Sequence, residues 1–199
     1  MAEREAERIV LGFDPGSQVT GYGVVEAGRK PKLRDVGVVR PKRGEPLESR
    51  LRTIYERALE LIDQHSPDVV AVEDPFVGKS AASALVLGQA RGVLLLAAAI
   101  REVPVVSYSP RSIKAAVVGR GSASKEQVQF MVQALLGLRK PPEPLDASDA
   151  LAVALCHVSK GAAVVSSGSR DTVDVAKLVK NPVDLEAVQK WKQGKRGRK

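Results

Sequence analysis

A single cysteine, Cys156, is present among 199 residues, which excludes an internal disulfide and leaves no thiolate partner for a metal site. It lies in an apolar helical run, where core packing is its expected role. Uninterrupted apolar length is also scarce. The longest such region, residues 81 to 100, is broken by Gln89 and Arg91, and the opening MAEREAER is charged with no hydrophobic signal region behind it. The expectation is a soluble, cytoplasmic protein with no membrane partner. There is no internal repeat. With 44% hydrophobic residues, the chain has enough apolar material for one sizeable core.

The charge is plentiful and unevenly placed. A net charge of +8 suggests a polyanionic partner. Residues 75 to 142 carry +7, residues 161 to 199 a further +5, and the rest of the chain is acidic. That segregation fits a surface gripping phosphates in two places around a region rich in carboxylates. Lys79, Arg111, Lys114, Arg120 and Lys125, all within 75 to 142, are the candidate phosphate-gripping cations.

Hydrophobic patterning predicts three strands, a helix, a strand, a helix, a strand and then helices. The strands are expected at Ile9 to Asp14, Thr20 to Ala27 (loosely alternating), Lys32 to Arg40, Asp68 to Asp74 and Pro104 to Ser107. Helices are expected over Leu47 to Gln64, Ala81 to Glu102, Pro110 to Val118, from a cap at Ser122 or Ser124 to Leu138, and over Asp146 to Lys160. This order predicts an α/β layer with an antiparallel three-strand meander at one edge and flanking helices. Residues 1 to 160 form the expected domain. Residues 161 to 199, which include SSGSRD and KWKQGKRGRK, read as a flexible linker and basic tail.

Acids stand at the expected strand ends. Asp14 closes the first strand and Glu73 the fourth, while Asp146 and Asp149 lie three apart at the start of the last helix, on one face. Each has a plain alternative: Asp14 as a turn former, Glu73 as a solvated strand end, Asp146 and Asp149 as a capping pair. Together they suggest a carboxylate cluster, and oxygen ligands without His or Cys suit Mg²⁺ or Mn²⁺. Two such ions per site would support phosphodiester hydrolysis. His157, eleven residues after Asp146, is too far along the helix to join them.

Four blocks, IVLGFDPGSQVTGYGVVE, AVEDPFVGKSAASALVLGQARGV, SIKAAVVGRGSASKEQVQFMV and DASDALAVALCH, resemble the RuvC-type Holliday-junction resolvases in order and spacing, from about Arg8 to Lys160. The resemblance implies a ribonuclease H-like mixed sheet, a homodimer, and metal-dependent cutting of four-way DNA junctions by paired symmetric nicks. It also implies RuvA and RuvB branch-migration proteins as partners. The family's catalytic acids fall on Asp14, Glu73, Asp146 and Asp149, its junction-base aromatic on Phe76, and its two lysines near the scissile phosphate on Lys114 and Lys125. From residue type alone, Phe76 reads equally as a stacking residue or a buried loop anchor, and both lysines as solvated helix charges. Asp74-Pro75 is more acidic and more rigid than the family pattern. Charge alone would also suit a non-catalytic junction-binding protein. The first hairpin resembles that of actin-like ATPases, yet the second phosphate hairpin and adenosine site of that fold do not occur, and neither does a P-loop.

Overall fold

The computed structural model describes residues 9–74 and 81–165, with side chains described as far as Lys160. Five strands form one mixed sheet: β1 (Ile9–Asp14), β2 (Thr20–Glu26), β3 (Lys32–Val39), β4 (Val69–Glu73) and β5 (Val105–Tyr108). Their spatial order is β3-β2-β1-β4-β5. The first three pair antiparallel, as the expected meander, and β1, β4 and β5 run parallel. Helices α1 (Leu47–His65) and α2 (Ala81–Ile100) cover one face, and α3 (Pro110–Val118), α4 (Lys125–Leu135) and α5 (Leu145–Val165) cover the other.

Side-chain alternation assigns each strand residue to one of these layers. Leu11, Phe13, Val24, Val70 and Val72 meet Ile54, Ala58, Leu61, Leu94 and Ala97 on the α1–α2 side. Val10, Val25, Val69 and Ala71 meet Ile113, Val132, Leu151 and Leu155 on the other. β1 is therefore buried on both faces, as its unbroken apolar run predicts. β2 departs from its expected alternation: all seven residues are buried, because α5 covers one of its faces and the α1 layer the other. Cys156 lies in the α5 core, where burial pushes its thiol up to about 11.

Local chemistry accounts for the shifted boundaries. α2 stops at Ile100, two residues early, where Glu102 takes a left-handed φ of 55°. Of the two candidate caps before α4, Ser124 serves, forming a reciprocal capping box with Gln127. α4 ends at Leu135 rather than Leu138, and Gly137 (φ 62°) turns the chain so that Leu138 N–H donates to the Gln133 carbonyl at 2.9 Å. α5 runs through Gly161 to Val165, so the linker does not start at residue 161. One glycine costs a helix only about 1 kcal/mol, and Ala162 and Ala163 follow it.

α2 is long and apolar enough to cross a membrane by length and composition, despite Gln89 and Arg91. It buries Ala90, Leu94, Ala97 and Ala98 against the domain, and leaves Leu85 and Leu96 exposed.

Candidate active site

Parity along two neighbouring strands builds the site. Val10, Gly12 and Asp14 share the α5 side of β1, and Val69, Ala71 and Glu73 share it on β4, so two acids end adjacent parallel strands on one face. α5 then brings Asp146 and Asp149 over that face. It lies very close to the sheet because glycines stand beneath it. A Cβ on Gly12 would overlap the Ala150 carbonyl, and one on Gly21 would overlap the carbonyl of Asp146 itself. The helix start is held by the Pro144 carbonyl, which accepts from Ala147 N–H at 3.0 Å.

The turn after Asp14 is braced from two sides. Thr20 Oγ1 donates to the Gly16 carbonyl at 2.6 Å, and Arg50 Nη1 on α1 donates to the Ser17 carbonyl at 3.3 Å and to Ser17 Oγ at 3.2 Å. Arg50 had no signal in the sequence, since it lies thirty-three positions from Ser17 and only the fold brings them together.

The acids act on one another electrically. Burial, then repulsion from Glu73, Asp149 and Asp146, pushes the Asp14 carboxyl up to about 8 against the pull of Lys125. Burial and repulsion from Asp149 push Glu73 up to about 7, opposed by Lys125 and Lys114. Lys125, first residue of α4, donates from Nζ to Asp149 Oδ2 at 2.7 Å, and that bond chiefly raises its own pKa. Lys125 is thus not merely a solvated helix charge.

Lys114 also lines an open groove of about 600 Å³ with Ser109, Pro110, Arg111, Gly121 and Ser122. Arg111 and Arg120 are exposed, Arg120 in the turn between α3 and α4. Phe76 and Lys79 lie outside the described residues. His157 Nδ1 lies 2.8 Å from the Tyr108 hydroxyl.

Four carboxylates with no His or Cys form a hard-oxygen donor set suited to a divalent cation, and their mutual repulsion is the field such an ion would relieve. Among the described residues no three of them are already drawn into a coordinating group; Lys125 supplies the positive charge instead.

Comparison with known proteins places this geometry. The family model for crossover junction endodeoxyribonuclease RuvC matches residues 10–157. The chain is 52% identical over 149 residues to the crossover junction endodeoxyribonuclease RuvC of Hydrogenovibrio crunogenus, covering 74% of this chain and 86% of that protein. It is 51% identical over 153 residues to the same-named protein of Moorella thermoacetica, covering 76% and 91%. Among solved structures, Thermus thermophilus RuvC in complex with Holliday junction substrate superposes with a TM-score of 0.72 at 40% identity, covering 75% of this chain and 92% of that one. The sheet order, the flanking helices and these matches agree: the fold is ribonuclease H-like, and the chain belongs to the RuvC family of crossover junction endodeoxyribonucleases.

Proposed function

We propose that this protein resolves four-way DNA junctions by paired symmetric nicks, with Asp14, Glu73, Asp146 and Asp149 holding two Mg²⁺ or Mn²⁺ ions. One observation carries the reading: acids from β1, β4 and α5 meet on one face, next to Lys125 and a groove lined by Lys114 and Arg111. A protein that only bound junctions would need the basic surface but not partly buried, mutually repelling carboxylates. When bound, the ions would activate a water and stabilise the leaving oxygen.

The chain's own residues do the rest. Asp14, which interacts with Glu73, Asp149 and Asp146 alike, would hold a cation together with them. Lys114 and Lys125 offer charge to the scissile phosphate, and Lys125 also steadies Asp149 through its Nζ hydrogen bond. Arg111, Arg120 and Lys79 extend the phosphate track, and Phe76 stacks on junction bases.

Paired nicks require two sites related by a twofold axis, which a homodimer supplies. The outer side of α2 supports that assembly: Leu85 and Leu96 are exposed, and nothing crowds Gly88 or Gly92. Residues 1 to 160 act as the nuclease domain, and the basic segment beyond α5 adds general DNA affinity. Action alongside RuvA and RuvB in the cytoplasm completes the reading.

Incubating the full-length protein with a synthetic four-way junction, without ATP, in Mg²⁺ or Mn²⁺ tests this. Symmetric nicks are expected from wild type, and none from Asp14→Asn, which should still bind the junction. Binding without nicking by wild type in either metal would refute it.

A further inference from the structure

Glu73 and Asp74 are neighbours in the chain that face opposite layers. Glu73 points toward the α5 acids, whereas Asp74 meets Arg91 of α2. Arg91 donates from Nη2 to Asp74 Oδ1 at 3.0 Å and to Ser107 Oγ of β5 at 2.6 Å. The backbone agrees with the side chains: Asp74 N–H donates to the Tyr108 carbonyl at 2.9 Å, carrying the β4–β5 ladder one residue past Glu73. One guanidinium therefore ties α2, β4 and β5 together where the chain leaves the sheet. Arg91 is largely covered and its Nε is buried with no hydrogen-bond partner among the described residues, an arrangement that is costly unless the remaining bonds hold. The carboxylate at position 74, a departure from the family pattern, thereby finds a partner.

We propose that Arg91 is a positioning residue: through Asp74 and Ser107 it fixes the end of β4 so that Glu73 stays aimed at Asp14 and Asp149. This rests on the junction-nuclease reading above. Arg91 itself acts from the opposite face of the sheet and touches no reacting atom. A second ion pair offers an internal control, because Arg101, just past α2, binds Asp63 of α1 bidentately at 2.6 and 2.8 Å without involving β4.

The test compares full-length Arg91→Met, Arg91→Lys, Asp74→Ala, Asp74→Asn and Arg101→Met in single-turnover junction cleavage across a Mg²⁺ series, with junction Kd and thermal stability measured alongside. Arg91→Met and Asp74→Ala should each lower the maximal rate about tenfold, since small misplacements of reacting groups cost this much or more. Both should need more Mg²⁺ for half-saturation while junction Kd holds. Arg91→Lys should recover part of the loss, and Asp74→Asn most of it, because its amide oxygen still accepts from Arg91. The double variant Asp74→Ala/Arg91→Met should be no slower than the slower single variant, the mark of one shared device. Arg101→Met should keep wild-type rate and Mg²⁺ dependence. If Arg91→Met does not fold, Arg91→Lys and Asp74→Ala carry the same comparison. Wild-type rate and Mg²⁺ dependence in Arg91→Met and Asp74→Ala, or losses no larger than in Arg101→Met, would overturn the proposal. A wild-type protein that fails to nick would instead remove the nuclease reading on which it rests.

Discussion

Lys125 Nζ lies 2.7 Å from Asp149 Oδ2, so the first residue of α4 holds an acid of α5 within the carboxylate cluster. The ammonium thereby occupies electrostatic ground that a divalent cation would claim. Replacing Lys125 by Met should lower the maximal cleavage rate, through loss of positive charge at the phosphate, and yet lower the Mg²⁺ concentration needed for half-saturation. A Mg²⁺ titration of cleavage separates the two effects. A higher Mg²⁺ requirement in the variant would show that Lys125 assists the cation instead of competing with it.

The raised pKa values of Asp14 and Glu73 set a pH dependence for the metal-free protein. An acid whose folded pKa is about 8, against an ordinary 3.8, adds stability that is complete below pH 4 and is lost as pH rises through 8. Glu73 behaves in the same way up to about 7. The protein in EDTA should therefore melt at lower temperature at pH 8 than at pH 5, with Mg²⁺ recovering the loss at pH 8. Asp14→Asn should flatten that profile and add roughly 2 kcal/mol at pH 8 without metal. Identical thermal melts for variant and wild type at pH 8 would argue against a repulsive cluster.

Gly21 and Gly12 offer a contrast between site and scaffold. A Cβ at Gly21 must push on the Asp146 carbonyl, whereas one at Gly12 pushes on Ala150 and Ala154, farther along α5. Both substitutions to Ala should destabilise by about 1 to 3 kcal/mol. Gly21→Ala should in addition slow cleavage more than its stability loss explains. Cleavage assayed well below both melting temperatures distinguishes them, and equal rates would mean that Asp146 tolerates displacement.

Phe76→Ala should slow cleavage more than it weakens binding, because stacking is worth about 1 to 3 kcal/mol per base. A junction with unpaired bases at the crossover needs less unstacking and should recover much of the rate. Unchanged cleavage of both substrates, with a lowered melting temperature, would make the ring a core anchor.

Residues 166 to 199 contain nine of the chain's lysines and arginines. Truncation belongs after Val165, since α5 continues to that residue. Removing the segment should preserve nick position and Mg²⁺ dependence while weakening binding to duplex and junction alike. Each lost phosphate contact should flatten the log-log salt slope by about 0.9. An unchanged slope would mean that the segment never meets DNA.

The order of elements was legible in the sequence because each carries its own local signal. Apolar runs marked β1 and β4, the spacing of Ile54, Ala58 and Leu61 marked α1, and Pro110 and Gly119 marked the two ends of α3. Even the shared face of Asp14 and Glu73 follows from strand parity once β1 and β4 are known to be neighbours. That adjacency is a tertiary fact, as is the descent of α5 onto Gly12 and Gly21, which brings Asp146 within reach of an acid 132 positions earlier. The full burial of β2 likewise depends on helices from both layers, so alternation alone misjudged it. Arg50 and Arg91 were anonymous cations in the sequence, because a long flexible side chain reveals its partner only when packing has fixed both ends. Chemistry of type and order is written locally along a chain, whereas the electrostatics of this site arise from convergence, which only the folded core imposes.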